Sequence, residues 1–177
     1  MIKNTNTVLG GLDMRKNLFC AFLAIIAMGL LGCGSGGVSS ELGPNIAEGK
    51  TAVASSDESD ALSAKKAVDG YVQTRWGSNF FTDKNPDDAW IYIDLGQKSP
   101  IGTVVLTWEA AYGKKFNILV SDDAKSWKAV HEEKNGNAGE MVIKLASPAE
   151  GRYVKMQGVE RGLKYGYSLF EFAVYSK

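Results

Sequence analysis

Cysteine is almost missing from this chain: its 177 residues hold two, Cys20 and Cys33. That excludes a disulfide framework and a zinc site built on paired thiolates. His131 is the sole histidine, and no Ser-His-Asp relay or metal-ligand cluster assembles around it. Charge of one sign is not in excess either, since Lys plus Arg and Asp plus Glu both number 20. The basic pairs Lys65-Lys66 and Lys114-Lys115 are isolated, so no basic stripe marks a nucleic-acid partner. No apolar run is long enough to span a bilayer. The candidate, Leu18 to Leu31, falls short of the roughly 20 residues that a spanning helix needs, and small and polar residues follow it.

What that run does offer is order. Arg15-Lys16, the uncharged apolar stretch and Leu30-Leu31-Gly32-Cys33 follow one another as the charged, apolar and small-residue parts of a bacterial secretory signal do. The cysteine directly after the small residues resembles the lipobox of bacterial lipoproteins, which implies lipidation of Cys33 and removal of residues 1–32. Cys20 lies in the removed piece, so Cys33 keeps no disulfide partner. Met14 stands directly before Arg15-Lys16 and is a second candidate start for the signal. The tract Gly34-Ser-Gly-Gly-Val-Ser-Ser40 reads as a flexible tether, covering 33–44 with its flanks. Residues 45–177 suit one domain. The resemblance also implies a lipid-anchored place in the bacterial cell envelope. By the same resemblance, Gly34 rather than Asp after the cysteine implies the outer membrane.

Short runs rich in β-branched and aromatic residues fill the domain: Trp90-Ile-Tyr-Ile-Asp-Leu95, Thr103-Val-Val-Leu-Thr-Trp108, Phe116-Asn-Ile-Leu-Val120, Met141-Val-Ile-Lys-Leu145, Arg152-Tyr-Val-Lys-Met156 and Leu169-Phe-Glu-Phe-Ala-Val-Tyr175. Period-two alternation places Phe116, Ile118 and Val120 on one face, Val104, Leu106 and Trp108 on another, and Phe170, Phe172 and Val174 on a third. Gly96-Gln-Lys-Ser-Pro100, Ser121-Asp-Asp-Ala124, Asn135-Gly-Asn137 and Ser147-Pro148 supply turn chemistry between them. Only Ala61 to Val68 reads as a helical turn. The fold predicted is all-β, an antiparallel β-sandwich with its loops gathered at two ends.

Several motifs in order carry a family resemblance. They are Asn45-Ile-Ala47, Thr51-Ala-Val-Ala-Ser-Ser56, Ala67-Val-Asp-Gly70, Thr74-Arg-Trp76, Trp90-Ile-Tyr-Ile-Asp-Leu-Gly96, Val120-Ser-Asp-Asp123 with Trp127, Gly151-Arg-Tyr-Val154, and Tyr165-Gly-Tyr-Ser-Leu-Phe-Glu-Phe172. Together they resemble the discoidin or F5/8 type C domains, and within that superfamily most closely the family 32 carbohydrate-binding modules. The resemblance implies a jelly-roll-like β-sandwich, galactose-binding-like in fold, one structural calcium, and a monomer. It assigns the metal to the carbonyl of Lys66, the carboxylate of Asp69, the carbonyl of Tyr71, both oxygens of Thr74, and Glu171. Tyr71 departs from the usual Asp or Asn, but a carbonyl ligand does not depend on side-chain type. The competing reading makes Asp69-Gly70 a plain turn and Glu171 a surface residue.

For the ligand the resemblance implies Glu58, Arg75, Glu109 and Tyr165, the positions that recognise glucosamine units in similar modules. Two carboxylates suit a protonated amine, and Tyr165, in a loop between Gly162 and Gly166, suits stacking on a sugar ring. Arg75 has a rival role in pairing with Asp94 or another carboxylate. Trp76 and Trp108 read as core, and Tyr167 as a brace for the late loop. Phe80 and Phe81 read as a loop tip, either one wall of the site or a spike for lipid. The function implied is non-catalytic binding of a β-glycan or amino-sugar glycan. The alternative is adhesion to a protein or phospholipid partner, the phospholipid form being disfavoured by the acidic balance after signal removal. Glu58 with Glu109 is the one carboxylate pair that could serve as a glycosidase pair, but the resemblance assigns both to binding, and no enzyme is expected.

Overall fold

The computed structural model describes residues 42–177. Cys33, the expected signal and most of the expected tether lie outside the described residues. Seven strands are described: β1 Thr51–Ala54, β2 Trp76–Gly77, β3 Trp90–Trp108, β4 Gly113–Ser121, β5 Lys128–Glu133, β6 Gly139–Arg161 and β7 Ser168–Tyr175. Every pairing is antiparallel. The hydrogen-bonded order is β2-β7-β3-β6-β4-β5, with β1 added to β3.

Two long strands make this a sandwich. The first half of β3 pairs β1 and residues 153–157 of β6, while its second half pairs β7 and residues 139–144 of β6. The β3–β6 ribbon is interrupted between Asp94 and Ser99 and again between Ile101 and Thr103, where it bends from one leaf into the other. This corrects the reading of Gly96 to Pro100 and Ser147-Pro148 as turns between separate strands. Gly96, at φ +85°, takes a conformation that costs other residues more. Its N–H donates to Asp94 Oδ1 at 2.8 Å, and Asp94 is gripped by Arg152 through two bonds of 2.8 Å. The turn chemistry is present, but it shapes a bend inside a ladder.

The space between the leaves is filled by the alternating residues. Ile91, Ile93, Phe116, Ile118, Val154 and Met156 come from the first leaf, and Val104, Leu106, Trp108, Leu169, Phe172 and Val174 from the second, all in one buried cluster. Each such side chain contributes about 1.5–3 kcal/mol by leaving water. Two of the three expected faces are as read. The third is not: the β3–β7 register slips between Glu171 and Leu169, so Phe170 is the extra residue of a bulge and only half-buried, and Leu169 takes the inward place beside Phe172 and Val174.

Strand β5, Lys-Ala-Val-His-Glu-Glu, escaped the sequence reading because its charges mask its alternation. As the outermost strand, paired only to β4, it gains from those charges, which discourage edge-to-edge association. The Ala61–Val68 segment forms two short 3-10 turns, Asp60–Leu62 and Ala64–Ala67. Leu42, in the expected tether, is buried against Val105, Ala173 and Tyr175 on the outside of the second leaf. Asn45 then ties the entering chain to β7 through its Oδ1, which accepts from Val174 N at 3.0 Å.

Candidate functional site

The edge where β2, β7 and the end of β3 meet collects four chain segments. Glu58 follows β1, Arg75 precedes β2, Glu109 follows β3 directly, and Tyr165 precedes β7. Backbone bonds lock these flanks together: Glu58 N to Gly77 O at 2.8 Å, Ser78 N to Tyr167 O at 2.9 Å, Glu109 N to Ser168 O at 2.9 Å, and Ser168 N to Ala111 O at 2.8 Å. The result is a cleft of about 340 Å³, and all four expected ligand residues line it, together with Ser78, Phe80, Phe81, Tyr167 and Ser168.

One corner of the cleft is polar. A methyl group placed on Gly77 would lie 3.1 Å from both Arg75 Nη1 and Glu58 Oε2, so these side chains converge above that glycine. Arg75 Nη1 donates to Ser168 Oγ at 2.9 Å. Arg75 does not pair with Asp94, whose carboxylate belongs to Arg152 and is held below the usual range by it. Glu109 Oε2 accepts from Ala111 N at 3.1 Å, which aims the carboxyl. Among the described residues neither Glu58, Glu109 nor Arg75 enters an ion pair. Two carboxylates against one guanidinium leave the corner one negative charge in excess.

The opposite wall is aromatic. Phe80 meets Tyr165 edge-on at 6.0 Å between ring centroids, and Phe81 lies 4.0 Å from Phe80. Tyr165 is 47% exposed and Phe81 74%, so their rings are available to a ligand. The loop that carries Tyr165 is held from beneath. Arg161 Nη1 donates to the carbonyls of Lys164 and Tyr165 at 3.2 and 3.1 Å, while its Nε donates to Asp87 Oδ1 at 2.8 Å. Gly162 sits directly on the Tyr112 ring, where no Cβ would fit. Tyr167 is the expected brace: buried, with its hydroxyl donating to Asp87 O at 2.9 Å. Trp76 is fully buried and donates from Nε1 to Ser56 O at 3.1 Å, and Trp108 is core as expected. The sequence reading missed Arg161, Ser78 and Ser168; their type alone marked none of them, because their roles depend on hydrogen bonds across the fold.

The expected calcium loop lies elsewhere. Thr74 Oγ1 is 2.7 Å from Asp69 Oδ1 and 3.0 Å from the Tyr71 carbonyl, so three of the named oxygens already converge. Burial opposes ionisation of Asp69, but hydrogen bonds from Thr74, Tyr71 N and Lys66 outweigh it and hold the carboxyl below its ordinary value. Glu171 is not a surface residue. Both its carboxylate oxygens are buried without a hydrogen-bond partner. Burial, and after it the nearby charges of Asp69 and Glu48, push its carboxyl up to about 7. Orphaned buried carboxylate oxygens are costly, and a cation among these oxygens would relieve that cost. Among the described residues no three acidic, histidine or cysteine side chains form a metal cluster, so the set depends on carbonyl and hydroxyl oxygens, a donor chemistry that calcium accepts. Lys66 Nζ, 3.4 Å from Asp69 Oδ2, competes for one of them.

The family model described as F5/8 type C domain matches residues 51–172. A curated polysaccharide lyase 8 family protein, HylA of Enterococcus faecalis, is 33% identical over 120 residues, which is 64% of this chain and 8% of that protein. The chain thus spans under a tenth of that relative. Among solved structures, chitosan-binding module 2 of a chitosanase/glucanase from Paenibacillus sp. IK-5, in complex with chitotriose, is 36% identical with a TM-score of 0.67, covering 74% of this chain and 99% of that one. A family 32 module of Clostridium perfringens, in complex with GalNAc-β-1,3-galactose, shares the fold at 20% identity, with a TM-score of 0.68 over 75% of this chain and 99% of that one.

Proposed function

The chain belongs to the F5/8 type C domain family, and from that premise we propose that it is a non-catalytic glycan-binding module whose cleft receives the end of a β-linked glycan, with an amino sugar such as glucosamine preferred. One observation carries the reading: the cleft pairs two carboxylates free of ion pairs and one guanidinium with a half-exposed tyrosine ring. A protonated amine meets the excess negative charge through charge-assisted hydrogen bonds. Arg75 then donates to hydroxyl oxygens, and the pyranose lies against Tyr165. The Paenibacillus module seen with chitotriose supports this choice of sugar. A cleft this shallow is expected to bind in the high-micromolar to millimolar range, about −4 to −6 kcal/mol. A glycan array presenting glucosamine, N-acetylglucosamine and neutral β-glucan oligomers tests the reading. Silence on every oligosaccharide would return the chain to adhesion as its function.

The same reading includes the lipid anchor at Cys33, which would display the module at the cell envelope and let many copies share one surface, so that avidity compensates weak single sites. Cys33→Ser is expected to move the protein from the membrane to the soluble fraction, and metabolic labelling with a palmitate analogue is expected to mark only the unsubstituted chain. An unlabelled parent protein would sink the anchor.

Calcium is the third part of the proposal, held by Lys66 O, Asp69, Tyr71 O, Thr74 and Glu171. It would supply charge to the orphaned Glu171 oxygens and stiffen the loop that leads into Arg75. An ion that binds only the folded chain stabilises it by about 2.7 kcal/mol at a hundred times its dissociation constant. The melting temperature is therefore expected to rise between chelator and excess calcium, and Glu171→Gln is expected to abolish most of that rise. Superimposable melting curves for the parent protein would remove calcium from the account.

A further inference from the structure

The outer face of the first leaf is unusually aromatic. Trp90 and Tyr92 of β3, Tyr153 of β6 and Trp127 from the β4–β5 turn are all only partly buried, although the solvent side of an antiparallel sheet normally reads as polar. Trp90 and Tyr92 lie 5.6 Å apart with their planes 12° from parallel. Trp127 is 5.7 Å from Tyr92, and Tyr153 meets Tyr92 edge-on at 5.8 Å. Exposed Val53 borders Tyr92 from β1.

Lys155 stands in the middle of this group, directly across from Tyr92. Its Nζ is 4.4 Å from the Trp127 centroid and 5.6 Å from that of Trp90. Among the described residues it pairs with no carboxylate. Burial pushes its ammonium below the ordinary lysine value, with no anion opposing the shift. Two carboxylates on the outer face of this leaf have partners of their own: Asp94 is gripped by Arg152, and Glu132, across from Asn117, pairs with Lys134. Cation–π contact repays about 0.5–2 kcal/mol, which offsets only part of what desolvating a charge costs. An anion is what this face lacks.

We propose that the Trp90–Tyr92–Trp127–Lys155 face is a second glycan-binding surface, selective for an acidic sugar whose pyranose lies on the rings and whose carboxylate meets Lys155. The flat geometry favours a sugar over an acidic peptide. β3 and β6 have neighbours on both sides here, so no free strand edge is offered, and peptide recognition depends on such edges or on grooves. The face shares no lining residue with the cleft, and its ligand carries the opposite charge.

Tryptophan fluorescence titrations of the protein with a galacturonate hexamer, a hexamer of alternating glucuronate and N-acetylglucosamine, their carboxyl-reduced forms and a polyglutamate of equal charge test this. At least one acidic hexamer is expected to bind saturably, about tenfold tighter than its reduced form, as one charge-assisted contact requires. Lys155→Met, which keeps the apolar stem, is expected to lose about that factor, Lys155→Arg to retain binding, and Tyr165→Ala to leave it unchanged. Absence of binding to both hexamers, equal binding of polyglutamate, or an unaffected Lys155→Met variant would each overturn the proposal.

Discussion

Tyr165→Ala is expected to abolish measurable binding of glucosamine oligomers while leaving the fold intact. The ring is half-exposed and meets Phe80 edge-on and the Lys164 ammonium at 5.5 Å from its centroid, so its removal opens no buried cavity, and surface changes of that kind cost about 0.5 kcal/mol or less. Its share of binding is much larger. Removing an aromatic anchor costs about 2 kcal/mol or more where it dominates a contact. Against a total of about −4 to −6 kcal/mol, that moves the dissociation constant beyond the reach of ordinary titration. Tyr165→Phe keeps the stacking surface and is expected to bind within a few-fold of the parent. Calorimetry beside a melting curve separates the outcomes, and a Tyr165→Ala variant that binds normally would displace the aromatic wall from the site.

The second large effect concerns charge rather than shape. Glu109→Gln is nearly isosteric and retains an acceptor for the Ala111 amide that now binds Oε2, so the loop is expected to hold its form. What disappears is the partner of a protonated amine. A hydrogen bond to a charged group contributes about 1.5–3 kcal/mol, so glucosamine oligomers are expected to weaken by roughly ten- to hundredfold. N-acetylated counterparts carry no cation and are expected to change only a few-fold. Equal losses for both classes would mean that Glu109 serves packing or hydroxyl recognition, and the amino-sugar preference would be withdrawn.

Much of this is legible in the sequence, for physical reasons that also explain what is not. The inward faces of β3 and β4 declared themselves because burial forces apolar residues to every second position. The bulge at Phe170 did not, since one extra residue in a strand leaves a sequence that still alternates. The bend at Gly96 carries ordinary turn residues, and nothing local tells a turn that ends a strand from a kink that redirects it. β5 hid behind the charges that protect an edge. Glu58, Arg75, Glu109 and Tyr165 were named through family resemblance rather than periodicity; their convergence depends on the β2–β7–β3 pairing, which no local pattern contains. Arg161, which supports the Tyr165 loop through two carbonyls, carries no signal of its own. The aromatic face around Lys155 was overlooked for a different reason: Trp90, Tyr92, Tyr153 and Lys155 occupy the alternate positions of strands read only for what they bury.

One cleft is proposed to bind the amino-sugar end of a glycan. An NMR titration of the isotopically labelled protein with a glucosamine trimer tests it most directly, because it reports location and affinity together. Saturable shifts are expected, confined to the backbone around Glu58, Arg75, Glu109 and Tyr165, with a dissociation constant in the high-micromolar to millimolar range and much smaller shifts for the N-acetylated trimer. Shifts centred elsewhere, or none at millimolar trimer, would contradict it.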